Sequence, residues 1–271
     1  MRRGANWSWR DLVGSPTRTV IVLCVFAAMG IAGGLSSVGG LETSRDSEAT
    51  ATPSGRPSST GGVSGRWDGR SPTREEITTD LGRVDISRRS PVSGYDRECG
   101  SDHACSFGQA WTDDTAVATG HNGCDQRNDV LRASLEKVTV KSGTHGCVVL
   151  AGTLQEPYTG QQITFSKAEA SLVQIDHIYP LARAWDMGAA RWPLEQRIRF
   201  ATDPINLIAV DGSSNASKGD QGPGEWMPIN RAYRCAYVGR YLEVAITYSL
   251  PINSEDQAAI RTVAQTCPDQ H

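Results

Sequence analysis

Hydrophobic positions divide this chain into three regions. Residues 20–35 form a nearly unbroken apolar run, and four arginines precede it in residues 1–19. Residues 41–72 are rich in Ser, Thr, Gly and Pro and contain almost nothing to bury. Short apolar stretches then recur from residue 73 to the C-terminus. This last region predicts one folded domain of moderate size.

The first two regions predict an export signal followed by a linker. A basic flank before about sixteen apolar or small residues is typical of a signal peptide or a signal anchor, and the pattern does not decide between cleavage and retention. The charge bias places residues 1–19 in the cytoplasm. We therefore assign 1–40 to the basic segment and signal, 41–72 to a disordered linker, and 73–271 to the folded domain. We expect this domain outside the cytoplasm, either secreted or anchored to the membrane by an uncleaved signal.

The first half of the domain is predicted to contain strands and loops after a short helix. Thr73-Arg-Glu-Glu76 has the pattern of a capping box, which predicts a helix start. Alternating residues at 137–141 predict a strand, with 147–153 as its antiparallel partner. The glycines at 143–146 supply the turn between them.

The C-terminal part is predicted to be a helical hairpin. Apolar and aromatic side chains recur at spacings of three and four between Tyr237 and Tyr248, and we expect this stripe to lie in the core. Pro251 ends the helix. A second capping box, beginning at Ser254, opens the last helix.

Six of the seven cysteines follow the apolar run. An even number of cysteines downstream of an export signal predicts up to three disulfides in an oxidising compartment. We predict the pairs that close local loops, which are Cys99–Cys105, Cys124–Cys147 and Cys235–Cys267. The alternative of a zinc site is disfavoured because no two cysteines have C-x-x-C spacing.

The charge balance argues against strong non-specific binding to duplex DNA. The whole chain carries a net charge of −3, and the residues after position 70 hold 19 basic and 25 acidic side chains. Proteins that wrap duplex DNA usually show a basic excess. A nuclease is still compatible with this balance, because the local charge at a cleft matters more than the sum.

The stretch 173–228 carries the most informative chemistry. Asp176 and His177 stand side by side at the end of a β-type run that stops at Pro180. Asn206 lies in a second predicted strand. Asn215 and Lys218 are three residues apart, so a helical turn would place both on one face. The predicted order is therefore strand, strand, helix.

These residue types suit phosphodiester hydrolysis. A neutral imidazole takes a proton from water near pH 7, and a divalent metal stabilises the pentavalent phosphate and the leaving oxygen. Adjacent strand residues point to opposite faces, so Asp176 and His177 can serve one site only where the backbone twists. The end of a strand beside Pro180 would allow this.

Several separated motifs resemble the HNH family of endonucleases, also called ββα-metal or His-Me finger nucleases. The similarity is greatest to the C-terminal domain of GmrSD-type restriction enzymes and to secreted bacterial members. It rests on motifs that match in order and span roughly residues 73–267, namely Gly94–Arg97, Gly123–Leu131, Pro157–Gly160, Ile175–Trp185 and Ser214–Trp226.

The resemblance implies a role for each central residue. Asp176 and Asn215 correspond to the metal ligands, Asn215 through its side-chain carbonyl. His177 corresponds to the general base, and Asn206 to a residue that orients or supports the catalytic site. Lys218 stands where a basic residue could meet a phosphate. Such an oxygen-rich site favours one Mg²⁺ or Mn²⁺ ion, and asparagine in place of a final histidine weakens any case for zinc.

Two further cations are candidates for contacts with phosphate. Arg127 lies in the Cys-Asp-Gln-Arg-Asn motif, and Arg183 follows the Asp-His pair. Asp129 stands where the family usually has Glu, so no role is assigned to it. The tryptophans of this region are expected to pack around the core rather than to stack on bases.

The resemblance implies an α+β fold with a ββα-metal core at about 173–226, a disulfide-stapled N-terminal β/loop region and a C-terminal helical hairpin. It implies a metal-dependent endonuclease that cleaves DNA, and RNA is left open as a substrate. We expect low sequence specificity, because the chain contains no recognised sequence-reading module. We also expect a monomer whose folded domain lies outside the cytoplasm. One alternative is a non-catalytic surface or cell-wall binding module that retains the fold. A secreted metallopeptidase ranks last, because the chain lacks His-Glu-x-x-His and any dense histidine cluster.

Overall fold

The computed structural model describes residues 70–269. The predicted signal at 1–40 and most of the 41–72 linker lie outside these residues, and the domain boundary at residue 73 stays a prediction. The described residues form seven α-helices and five β-strands. The helices are α1 (Arg74–Leu81), α2 (Gln126–Ser134), α3 (Leu181–Met187), α4 (Leu194–Thr202), α5 (Gly212–Lys218), α6 (Arg234–Thr247) and α7 (Ser254–Ala264). The strands are β1 (Leu135–Val140), β2 (Val149–Gln155), β3 (Gln162–Ser166), β4 (Val173–His177) and β5 (Leu207–Asp211).

The predicted capping box forms at the start of α1. The Thr73 hydroxyl accepts a hydrogen bond from the Glu76 amide, and the Glu76 carboxylate accepts one from the Thr73 amide at 2.8 Å. These reciprocal bonds satisfy amides that the first turn would leave without partners. Ile77 and Leu81 then bury the inner face of the helix.

A three-stranded antiparallel sheet precedes the site, in the order β1-β2-β3. The predicted hairpin is confirmed, with its turn at residues 141–148, and the strands differ from the prediction by about two residues at their ends. The sequence analysis identified neither α2 nor β3. Asp125 caps α2 by accepting a hydrogen bond from the Asn128 amide at 2.8 Å.

Strands β4 and β5 form a two-stranded antiparallel sheet between two hydrophobic cores. Alternate β5 side chains face opposite ways, as the period of a strand requires. Leu207 and Ala209 join the core formed with α2 and the three-stranded sheet. Ile208 and Val210 join the larger core, which contains the C-terminal helices. Both faces of β5 are therefore covered by hydrophobic cores, which agrees with its unbroken apolar run from Leu207 to Val210.

The C-terminal helices confirm the predicted hairpin. The aromatic side chains of α6 are buried in the larger core. The last helix is capped by Asn253, which accepts from the Asp256 amide, rather than by Ser254. The prediction was therefore off by one residue at this cap.

All three predicted disulfides form. They join Cys99 to Cys105, Cys124 to Cys147, and Cys235 to Cys267. The described residues therefore adopt a mixed α+β fold with small antiparallel sheets, three disulfides and C-terminal helices. Among residues 70–269, no helix has the length and apolar character needed to cross a membrane.

Candidate active site

The β4–β5 hairpin and α5 bring the predicted central residues to one cavity. Asp176 pairs with Ile208 and His177 with Leu207 across the hairpin, and α5 follows β5 directly. The cavity has a volume of about 260 Å³, and its walls include Asp176, His177 and Asn215. Since β4 ends at His177, the strand end that the sequence analysis required is present.

Asp176 is held from two sides. Its Oδ1 accepts a hydrogen bond from the Lys218 ammonium at 3.0 Å, and its Oδ2 accepts one from the Tyr158 hydroxyl at 2.5 Å. The same ammonium donates to the main-chain carbonyl of His177 at 2.9 Å. These bonds fix the Asp176 carboxylate and the backbone beside it.

The position of Lys218 does not fit the predicted contact with phosphate. Its side chain is fully buried, and its charge is paired with Asp176. Burial lowers the pKa of Lys218, although Asp176 acts in the opposite direction. Lys218 is therefore a structural counter-ion of the site.

His177 is oriented through one ring nitrogen. Its Nε2 lies 2.9 Å from the carbonyl oxygen of Ala201. A carbonyl only accepts hydrogen bonds, so this contact requires the proton on Nε2 and leaves the Nδ1 lone pair available. The ring also stacks on Trp111, with 5.9 Å between ring centroids.

The imidazole is kept neutral. Burial lowers the pKa of His177 to about 3, and the positive charges of Arg97 and Lys218 act in the same direction. The ring is therefore uncharged near pH 7, which is the form that accepts a proton.

Asn206 supports the site from outside the cavity. It ends the 3-10 turn Pro204–Asn206 before β5, rather than lying on a strand as predicted. Its Oδ1 accepts from the Tyr179 amide at 2.8 Å, and its Nδ2 donates to the Tyr179 carbonyl at 3.2 Å. The fully buried side chain therefore positions the chain just after His177 and is not among the residues that line the cavity.

The oxygen donors at the cavity suit a hard divalent cation. Asn215 donates through Nδ2 to Gln174 Oε1 at 2.8 Å, and no group among the described residues donates to its Oδ1. Each carboxylate oxygen of Asp176 has a second lone pair beyond the one used by Lys218 or Tyr158. Within the described residues, no cluster of three or more His, Cys, Asp or Glu could hold a metal. Asp176 and Asn215 would therefore leave most coordination positions to water or substrate.

The two other predicted phosphate contacts have structural partners instead. Arg127 donates to the carbonyl oxygens of Ala170 and Val173, at 3.2 and 3.0 Å, and so holds the chain leading into β4. Arg183 is fully buried and pairs with Glu225 at 2.7 Å and Asp256 at 2.5 Å. Neither arginine is among the residues that line the cavity. Full burial of Arg183 leaves it no surface for a phosphate, whereas Arg127 is half-buried and its contact with phosphate stays a prediction.

Sequence reasoning missed several residues of the site. Tyr95, Arg97 and Asp220 line the cavity, and Tyr158 and Gln174 hold its two oxygen donors. The motifs at 94–97 and 157–160 contain three of these residues, but a motif by itself does not show which side chain each of them contacts. Their roles depend on contacts between distant parts of the chain.

The chain belongs to a family of restriction-endonuclease domains. Residues 125–263 match the family model described as GmrSD restriction endonucleases, C-terminal domain. This family is the one that the sequence motifs resembled.

A relative in the fungus Arthroderma benhamiae is named as an uncharacterized secreted protein. It is 38% identical to this chain over 146 residues, which cover 53% of this chain and 68% of the relative. No solved structure matches the chain. The secreted relative and the three disulfides are both consistent with an extracellular location.

Proposed function

We propose that this protein is an extracytoplasmic, metal-dependent endonuclease that hydrolyses phosphodiester bonds of DNA with low sequence specificity, with β4, β5 and α5 as a ββα-metal core. RNA is a second possible substrate. The observation that carries the proposal is a neutral, oriented imidazole sharing one cavity with two oxygen donors. Membership of a restriction-endonuclease domain family supports the same reaction class.

In this proposal His177 is the general base. Its Nε2–H is bonded to Ala201, so Nδ1 takes the proton from the attacking water. Lys218 and Tyr158 keep the Asp176 carboxylate in place, and Asn206 positions the chain that follows His177.

Asp176 and Asn215 would hold one Mg²⁺ or Mn²⁺ ion. Such an ion, when bound, stabilises negative charge on the phosphate and on the leaving oxygen. Lys218 already offsets the single charge of Asp176, so the free site attracts a divalent cation weakly. The negative oxygens of the substrate would supply the remaining attraction.

Low sequence specificity is part of the proposal, because the sequence contains no recognised base-reading module and sequence recognition needs contacts with base edges.

Cleavage of plasmid DNA by the full-length protein tests the proposal. We expect nicking with Mg²⁺ or Mn²⁺, and no cleavage in EDTA. His177→Gln should lower the rate by roughly 10²–10⁴-fold, since Gln can still donate to Ala201 but offers no basic nitrogen. Full activity of His177→Gln would exclude the assigned base.

A matched control is His145→Asn. His145 is an exposed histidine in the β1–β2 turn with a positive φ of 52°, which asparagine tolerates. It should cleave as the wild type does. A wild-type protein without cleavage in either metal would favour a non-catalytic binding module.

A further inference from the structure

The charges around the cavity leave one cation without a partner. Asp176 is paired with Lys218, and Asp220 is paired with Arg89. Arg97 is exposed and lines the same wall, and no carboxylate among residues 70–269 forms an ion pair with it. Arg89 also pairs with a second carboxylate, so the paired groups around the cavity carry no positive excess. Arg97 is the cation of this wall that no carboxylate of the described residues engages, and an unpaired guanidinium attracts an anion.

Arg97 lies beside the proposed base. It lines the cavity that contains Asp176 and Asn215, and it also lines the smaller neighbouring cavity formed with Trp111 and Ala201. His177 lies in the walls of both cavities. A phosphate that meets Arg97 would therefore lie close to the imidazole.

Arg97 lies in a short loop, residues 94–108, whose backbone is held by hydrogen bonds and a disulfide. Asp96 and Ser106 bond to each other through their main chains and through the Ser106 hydroxyl. The Cys105 amide donates to the Glu98 carbonyl at 3.0 Å, and the Cys99–Cys105 disulfide closes the loop. The flanking residues are thus tied to the returning chain.

Alternate side chains at the start of this loop contact different groups. His103 bridges the Asp96 and Glu98 carboxylates, at 2.9 and 3.2 Å, while Tyr95 and Arg97 line the cavity. Tyr95 packs against Trp185, with 6.1 Å between ring centroids. The acidic neighbours of Arg97 are therefore engaged elsewhere, and its guanidinium is left for a ligand.

We infer that Arg97 binds a phosphate of the nucleic-acid backbone at the cavity. This inference rests on the proposed function, because it names the contact by which the same site holds its substrate. A guanidinium matches the two oxygens of a phosphate with parallel N–H donors. The preformed loop lowers the entropy cost of placing it there.

Binding without cleavage tests the inference. Fluorescence anisotropy of the full-length protein in EDTA would measure Kd for a labelled 20-base-pair duplex DNA and a 20-nucleotide RNA over a range of salt concentrations. We expect Arg97→Ala to raise Kd roughly tenfold or more. The slope of log K against log salt should become shallower by about 0.9 for duplex DNA or about 0.7 for the single strand. Arg97→Lys should keep the wild-type slope but bind more weakly, because it retains the charge and loses the fork.

The matched control is Arg261→Ala. Arg261 is an exposed arginine beside α1, on a surface with no residue of the site. It changes the net charge by the same amount and should leave Kd and the salt slope unchanged. Both variants should keep the wild-type unfolding midpoint.

The possible failures are distinguishable. If the wild type cleaves DNA but Arg97→Ala binds with the wild-type Kd and salt slope, the inference falls and the proposed function stands. An equal loss in Arg261→Ala would also overturn it, because the effect would then be one of overall charge. If the wild type neither binds nor cleaves nucleic acid, both fall together.

Discussion

Replacing Lys218 with methionine tests the buried ion pair of the candidate site. The substitution keeps most of the side-chain volume and removes the ammonium that bonds to Asp176 Oδ1 and to the His177 carbonyl. Asp176 would keep the Tyr158 hydroxyl but lose its counter-charge. The change therefore isolates the electrostatic contribution of an ion pair that is almost entirely buried.

The expected cost follows from burial. Lys218 has no exposed surface, and only 4% of Asp176 is exposed. Removing one partner of such a pair typically costs about 3–5 kcal/mol, because a buried charge is left uncompensated. An exposed pair would cost about 1 kcal/mol or less. The two cases differ by more than the error of the measurement.

Urea unfolding at pH 7, followed by tryptophan fluorescence, measures the free energy of unfolding. Asp176→Asn combined with Lys218→Met should be more stable than the sum of the single effects predicts, since the double variant leaves no unpaired charge. Lys167→Met is the control, because Lys167 is exposed on a short turn and should change stability little.

A loss below about 1 kcal/mol in Lys218→Met would refute the buried pair. If the same variant also weakened nucleic-acid binding and made the salt dependence shallower, Lys218 would be the phosphate contact that its sequence position suggested. The experiment thus decides between two interpretations of one residue.

Three further predictions concern the C-terminal half. Arg183→Lys should lower the free energy of unfolding by about 2 kcal/mol or more in urea, because a lysine ammonium cannot bond to Asp256 and Glu225 at the same time, as the guanidinium does. Unchanged stability would contradict this double ion pair. Burial raises the pKa of Glu225, but hydrogen bonds led by that from Arg183 outweigh it and leave the pKa below its usual value. The ionised Glu225 therefore adds stability at pH values above the ordinary carboxylate pKa, and this stability is lost as the pH falls. The difference in free energy of unfolding between the wild type and Glu225→Gln should shrink from pH 7 to pH 3. A difference that stays constant would count against this prediction. Replacing both Cys235 and Cys267 with alanine opens a loop of 32 residues and should cost about 3–4 kcal/mol in thermal or urea unfolding, whereas an unchanged midpoint would show that the bond adds no stability.

The sequence predicted those elements whose causes are local. The α1 capping box needs only Thr73 and Glu76, and the β1–β2 hairpin follows from alternation on either side of a glycine-containing turn. The disulfides were also predictable, because each closes a short loop within one segment. Local bonds and short loops carry a small entropic cost, so they can be predicted without knowledge of the rest of the fold.

Two elements were missed although a signal existed. Asp125 is a favourable N-cap residue for α2, but the charged side chains that follow it form no long apolar stripe. Strand β3 is five residues long and has one fully buried side chain, Phe165, so its alternation is weak. Short elements such as these are stabilised mainly by the neighbours that they pack against.

For the site, the sequence by itself brought Asp176, His177 and Asn215 together, because the order of strand, strand and helix leaves few ways to arrange three adjacent elements. Only the tertiary structure decided which cations face the cavity. Lys218 pairs with a carboxylate 42 residues away, and Arg183 with one 73 residues away. A long, flexible side chain can reach any opposite charge that the fold brings near it. Once the pair is buried, separating the two charges is costly. The carboxylates next to Arg97 in the sequence are bonded to His103, and Arg97 itself lines the cavity.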